Sequence, residues 1–416
     1  MKKIKILVVI MTAVLILPVF MGCTAAQEED PLAGQIQEME ETPDYVVQYN
    51  KAFNLASAQQ YRASIEKYKK SIDLIEAIDE NKRTEKAKMT YRNALLGLGR
   101  SYGNIGNLNQ AEKYFNKYIE RYPNQHKGYL QYGSILEKNG KPEKAKEQYE
   151  RAMEANPDSA VGEFALANNL RSKGKLEKAV EYYKKGLKKD PEFQEGNGWF
   201  QLAKTYEQMG NTDEAIKAYK KLVEIRPENA QAHYLIADKY LSKGLNVGAK
   251  SKGQELSQEA RNQRIDLYEK AIEHDKKAYN LKPKSNQYKI HLVNSYIKLA
   301  EMYAEADPKL HNEYAQKTIP ILKQYIEENP NNEVGYSLIA DSYFKLKQYQ
   351  KSINNAEKAL EITDTAYAHS ILADVYFEIK NWPLAKKHYL KILNNPDYPY
   401  AKGRLEIVEK RLRGEY

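Results

Sequence analysis

The chain has one cysteine, Cys23, in 416 residues, so no internal disulfide can close and no thiolate cluster can hold zinc or iron. Its seven histidines (126, 233, 274, 291, 311, 369 and 388) form no HExxH and have no cysteine beside them, which leaves a metal site without a ligand set. No GxSxG elbow is present, so nucleophilic catalysis has no visible agent. Carboxylates abound, but they stand next to lysines at i to i+4 spacing, the pattern of solvated helix faces, and His274 beside Asp275 reads the same way. The stretch GLNVGAKS from Gly244 to Ser251 approaches a phosphate loop, yet Ala249 replaces its second glycine and no strand precedes it; an exposed insertion loop is expected. The formal charge is +9; without Lys2, Lys3 and Lys5 of the N-terminal segment, 65 basic residues become 62 against 56 acidic ones, a net +6. That excess forms no stripe, which argues for solubility and against nucleic acid. No cofactor, metal or catalytic group is expected, and the chain reads as a non-enzyme.

What is present begins with Met1 to Gly22, a basic start followed by an apolar run from Ile6 to Met21, then Gly22 and Cys23. The run is short for a membrane span and reads as a signal peptide. Phe20, Met21, Gly22 and Cys23 resemble the lipobox of bacterial lipoproteins, although Phe20 stands where leucine is usual and Met21 where a small residue is usual. The resemblance implies lipidation of Cys23 and anchoring on a membrane outside the cytoplasm. Cleavage near Ala25 and Ala26, or an uncleaved anchor, are the alternatives. Residues 23–43 are acidic with no basic residue and read as a tether.

Beyond it the chain repeats. Pro123, Pro157 and Pro191 are 34 apart, and Gly106, Gly140, Gly174, Gly210 and Gly244 keep nearly the same spacing. Small residues (Gly99, Gly133, Ala167, Ala203, Ala237) precede large ones (Tyr102, Leu136, Leu170, Tyr206, Tyr240), and Ala111, Ala145, Ala179 and Ala215 precede Phe115, Tyr149, Tyr183 and Tyr219. Spacings of three and four put each small and large residue on one helical face. Each Gly falls where a helix ends left-handed, and each Pro closes the next helix. The unit is helix, turn, helix, stop. One hairpin cannot bury its own apolar face, so units must stack. The 34 tyrosines suit such seams, with rings packed and hydroxyls wet.

These columns resemble the tetratricopeptide repeat, most closely over about 92–125, 126–159, 160–193 and 196–229, where Trp199 takes the aromatic position that opens the family's first helix. The resemblance implies an all-α, right-handed superhelical solenoid of about nine repeats with a C-terminal capping helix. The expected organisation is 1–22 signal peptide, 23–43 tether, 44–91 degenerate first repeat, 92–244 regular repeats, 245–332 repeats with insertions, 333–399 final repeats and 400–416 cap. After Gly244 the second helix is expected to start late, beyond GLNVGAKSKGQELSQEARNQR.

In this family the first helices line a concave face that holds peptides or helices. The register places Leu96, Leu130, Phe164, Phe200, Tyr234 and Ile290 there in one row. One turn on come Arg100, Ser134, Asn168, Lys204, Asp238, Asn294, Asp341 and Asp374, a row running from basic or neutral to acidic. Apolar anchors with graded charge could grip and orient a bound chain, or the first row could pack inside and the second be plain surface. The resemblance implies a lipid-anchored scaffold that binds other envelope proteins or peptides; a solute-binding lipoprotein of an uptake system is the alternative.

Overall fold

The computed structural model describes residues 42–248 and 256–415. The signal segment, Cys23, most of the tether and residues 249–255, which include Ala249 of the phosphate-loop-like stretch, lie outside them. Among the described residues there are nineteen α-helices and no strand, an all-α repeat solenoid.

Eighteen helices pair into nine antiparallel hairpins, or units, and α19 (Ala401–Leu412) closes the last. Unit 1 is α1 (Asp44–Ser57) with α2 (Tyr61–Glu76), and unit 2 is α3 (Glu85–Asn104) with α4 (Leu108–Arg121). Units 3 and 4 are α5 (His126–Lys138) with α6 (Pro142–Ala155) and α7 (Val161–Ser172) with α8 (Leu176–Lys189). Unit 5 is α9 (Phe193–Gln208) with α10 (Thr212–Ile225), and unit 6 is α11 (Ala230–Asn246) with α12 (Gln258–Leu281). Unit 7 is α13 (Asn286–Tyr303) with α14 (Pro308–Glu328). Units 8 and 9 are α15 (Glu333–Lys345) with α16 (Tyr349–Ile362) and α17 (Ala366–Glu378) with α18 (Trp382–Ile392). The first helix of a unit touches the first helix of the next, as in α1–α3–α5–α7–α9, α11–α13 and α15–α17, and the second helices make no contacts of comparable extent. The odd-numbered helices are therefore the inner, more crowded layer.

The columns act as their spacing requires. Ala111, Ala145, Ala179 and Ala215 are fully buried. A methyl group on Gly99 would sit 3.0 Å from the Phe115 ring, and one on Gly133 2.5 Å from Tyr149, so the aromatic of the second helix rests on the bare backbone of the first. Gly106, Gly140, Gly174 and Gly210 have φ of 79°, 71°, 70° and 75°, and the residue after each donates its N–H to the carbonyl of Tyr102, Leu136, Leu170 or Tyr206 at 2.8–2.9 Å. This is a left-handed helix stop that links the glycine and large-residue columns.

Two expectations fail after unit 5. Gly244 does not end its helix; it lies inside α11, where the Tyr268 ring comes so close that a Cβ would be 2.3 Å from it, and Gly248 takes the positive φ of 70°. The second helix of unit 6 does not wait for the end of the inserted stretch: α12 starts at Gln258, with Ser257 Oγ accepting from Ala260 N–H at 3.2 Å, and runs 24 residues. Propensity explains this, since every residue of QEARNQR except Asn262 is a good helix former.

In units 1, 8 and 9 the left-handed position is held by Gln59 (φ 60°), Lys347 (φ 55°) and Lys380 (φ 62°). A side chain there costs about 1–2 kcal/mol, and glycine returns part of the relief through its freer unfolded chain. Lys347→Gly and Lys380→Gly should therefore each stabilise the fold by about 0.5–1 kcal/mol, read as a higher urea midpoint. No gain in either variant would contradict this account of the turns.

The tyrosine hydroxyls are drier than their numbers suggest. Tyr68, Tyr118, Tyr183, Tyr219, Tyr268 and Tyr389 are fully buried, because the second-helix aromatic lies between both layers and has no path to water.

Candidate functional site

The inner face holds both expected rows, but not equally open. Leu96 and Phe164 are 3% exposed and belong to the core; Phe164 stacks on Phe193 at 3.9 Å. Neither can meet a partner. Leu130, Phe200, Tyr234 and Ile290 are half-buried. Phe200 meets Tyr219 edge-on, and Tyr234 packs between Tyr288 and His291. Stacking distance explains the split: glycines at 186 and 198 let the Phe164 ring sink inward.

The second row is fixed from behind. Tyr183 donates its hydroxyl to Asn168 Oδ1 at 2.5 Å, and Asp374 accepts from Tyr389 at 2.6 Å and Tyr400 at 2.9 Å. The Arg100 charge acts on Tyr49 and Tyr68; burial pushes the Tyr68 hydroxyl up to about 12, and Arg100 works against that. In units 4 and 9 the second-helix tyrosine thus crosses the core to steady a polar side chain on the inner surface. Burial raises the Asp374 carboxyl above its usual range, and the two tyrosine hydroxyls oppose the rise.

The charges are matched locally. Lys204 pairs with Glu207 at 2.7 Å, and Lys239 joins Glu207 at 3.3 Å to Asp238 at 3.0 Å. His291 lies 3.7 Å from Asp238 and 2.6 Å from the buried Asp275, which also accepts from Ser295 at 2.6 Å. His291 is raised to about 9: burial alone would lower it, and the two carboxylates overcome that. Asp238 falls to about 2, chiefly through the His291 imidazolium 3.7 Å away, with Lys239 at 3.0 Å adding to it. Further on, Lys298 meets Glu301 at 3.0 Å, and Lys345 bridges Glu301 at 3.4 Å and Asp341 at 3.1 Å. Asp341 is 8% exposed, held inside by this network. Lys204, Asp238 and Asp341 of the row are thus each matched by an opposite charge, whereas Asp374 is held by two tyrosine hydroxyls.

Asn168, Phe200 and Lys204 are brought together with Arg171, Ser172 and Gln208 in one open groove between α7 and α9. Arg100 lines a separate hollow with Phe53, Tyr61 and Asn104 at the N-terminal end, away from that groove. Ser134 is exposed and Asn294 half-buried, one turn from His291 and Lys298. Glu207, His291, Lys298 and Lys345 escaped sequence reasoning, although each lies three or four residues from a row member, where a same-face partner belongs. Asp275 had no such signal, being on a second helix; it and His274 are 1% and 7% exposed, not the solvated face their adjacency suggested. The i to i+4 pattern misled there because α12 is covered by α11 and α13.

Among the described residues no group of three or more His, Cys, Asp or Glu is placed to hold a metal, and no helix is long and apolar enough to cross a membrane.

Models of the tetratricopeptide repeat family match residues 93–124, 126–169, 170–239 and 335–365. No curated protein sequence matches the chain. Among solved structures, the C-terminal part of a tetratricopeptide-repeat protein from Cytophaga hutchinsonii shares 17% identity over 70% of this chain and 99% of its own, with a TM-score of 0.45. A tetratricopeptide repeat protein from Parabacteroides merdae shares 18% over 68% of this chain and 99% of its own, with a TM-score of 0.37. YrrB, described as having an unusual peptide-binding site, shares 16% over 50% of this chain and 91% of its own, with a TM-score of 0.35.

Proposed function

We infer that this chain of tetratricopeptide repeats is a protein-binding scaffold that holds an extended or helical segment of another envelope protein along its inner face, tethered to a membrane by lipid on Cys23. The observation that carries the first part is the order of the inner row: Asn168 and Asp374 are steadied by buried tyrosine hydroxyls, and Lys204 and Asp238 by neighbouring charges. Pre-set polar groups lose little freedom when a partner arrives, which is how a preorganised surface gains affinity. The half-buried Phe200 and Tyr234 supply apolar anchors between them. The tether reading rests on the unique position of Cys23 after the apolar run.

A photo-crosslinker at position 168 in the lipidated protein should capture one defined membrane-fraction protein, and the same group at Lys144 on the outer helix α6 should not. Arg171→Glu with Lys204→Glu should cut that capture about tenfold, since reversed charges oppose the partner's own. Equal capture from both faces would overturn the inner-face reading. Cys23→Ala should release the protein from the membrane fraction; its retention there would refute the lipid anchor.

A further inference from the structure

In three units one pair of positions joins the start of the first helix to the end of the second. The first member directly precedes an inner-row residue (Phe164, Tyr234, Ile290), and the second lies six residues after the core residue of the second helix (Tyr183, Tyr268, Leu322). In unit 4 the pair is Glu163 with Lys189 and in unit 7 it is Lys289 with Glu328, the same ion pair in opposite senses. In unit 6 it is His233 with His274. Their Nδ1 atoms are 2.9 Å apart and both rings are buried. His233 Nε2 lies 3.0 Å from the Pro227 carbonyl and donates to it, so in the neutral pair His233 Nδ1 accepts the Nδ1–H of His274. Unit 9 holds a second such pair, His369 and His388, with Nδ1 atoms 2.8 Å apart and His369 Nε2 donating to Asp364 at 2.7 Å.

An Nδ1 to Nδ1 contact has room for one hydrogen. A pair with one extra proton keeps it, with the cation donating and the neutral ring accepting. A second extra proton sets N–H against N–H and two cations in contact where water cannot screen them.

The surroundings do not offset that. Around His274 stand the Tyr240 ring, Lys220 from α10, and Glu273 and Lys277 from α12; Asp275 is engaged by His291 and Ser295 of α13. Around His388 stand the Tyr376 ring, Lys387 and Lys391, with Asp364 on the far side of His369; Glu357 of α16 is engaged by Tyr376, and Glu409 of α19 by Lys386. The carboxylates nearest the two pairs are already engaged: Glu273 accepts from Lys277 at 2.7 Å, and Asp364 accepts from His369 and, at 3.4 Å, from Lys391. Burial, and then the partner imidazole, lower both His274 and His388 to about 4.

The geometry points to an acid-sensitive latch: one shared hydrogen staples the two helices of unit 6 and of unit 9, and double protonation loosens these two hairpins while the Lys–Glu-closed units between and before them hold. Both second rings are depressed relative to the unfolded chain, so this stabilisation is complete above about pH 6.5 and is lost as pH falls toward 4.

Hydrogen exchange of the full chain, corrected for intrinsic rates, tests it. Between about pH 7.5 and 4.5, peptides from α11–α12 and α17–α18 should lose about tenfold more protection than those from α3–α8. His274→Asn and His388→Asn keep an N–H donor at the contact but cannot titrate, and should abolish the excess loss in their own unit only. Uniform loss along the chain, or an excess that persists in the Asn variants, overturns the latch. If a variant does not fold, imidazole nitrogen NMR of the unaltered chain decides: one ring of each pair should stay neutral to well below pH 6, and both rings of a pair titrating independently near 6.5 would refute the proposal.

Discussion

Tyr268→Ala should cost about 3–5 kcal/mol and split urea unfolding, followed by circular dichroism, into two transitions. The buried core of the described residues is built from adjoining clusters. One runs from Ala52 to Ala271, and the next begins at Tyr268 and runs to Tyr343. Tyr268 sits at their join, fully buried, with its ring on the bare backbone of Gly244 in α11. Removing the ring leaves a cavity between units 6 and 7, and in a solenoid the coupling between neighbours is what makes unfolding one event. Tyr268→Phe is the control: the hydroxyl has no hydrogen-bond partner, so its loss should be neutral within about 1 kcal/mol and keep a single transition. An Ala variant that still unfolds in one step with a small loss would show that the join lies elsewhere.

The second large effect concerns His291. Its folded value, about 9, exceeds that of a free imidazole, so the stabilisation it brings is fully present below about pH 6.5 and is lost as pH rises through 9. That amounts to on the order of 2–3 kcal/mol, set mainly by Asp275, which is 1% exposed and 2.6 Å away. Asp238, lowered to about 2, works in the opposite sense: its contribution is present above about pH 4 and is lost as pH falls through 2. Asp275→Asn should lower the melting temperature at pH 6 and flatten its fall between pH 6 and 9. An unchanged alkaline slope would mean that the cation at position 291 is not held by Asp275.

The alkaline loss at His291 and the acid loss at His274 and His388 bracket a narrow range of greatest stability for the C-terminal half of the chain. Units 2 to 4 are closed by glycine turns and by apolar or Lys–Glu contacts and hold no buried pair of imidazoles among the described residues. Stability along the solenoid is therefore graded by which residues fill equivalent positions, a property that a repeat fold exposes because each unit contacts only its neighbours.

Much of this molecule is legible without coordinates. Periodic glycine, proline, small and aromatic columns determine helix, turn, helix and stop, because each column reports a local requirement: a left-handed stop, a missing N–H, a close backbone approach. About nine repeats and a closing helix are expected from these columns and their weaker copies, and the described residues form nine hairpins and a closing helix. The places where reading by column fails are those where a neighbouring unit decides. Gly244 looks like a stop but receives the Tyr268 ring across the hairpin. Leu96 and Phe164 share a row with Phe200 yet sink into the core, because only packing distance separates an anchor from an interior residue. Histidines scattered over 41 and 19 positions meet as pairs, and Asp238 of one unit meets His291 of the next. Local periodicity is a property of the chain; contacts between units depend on how far each helix rolls against the next, and that is set only when all of them pack.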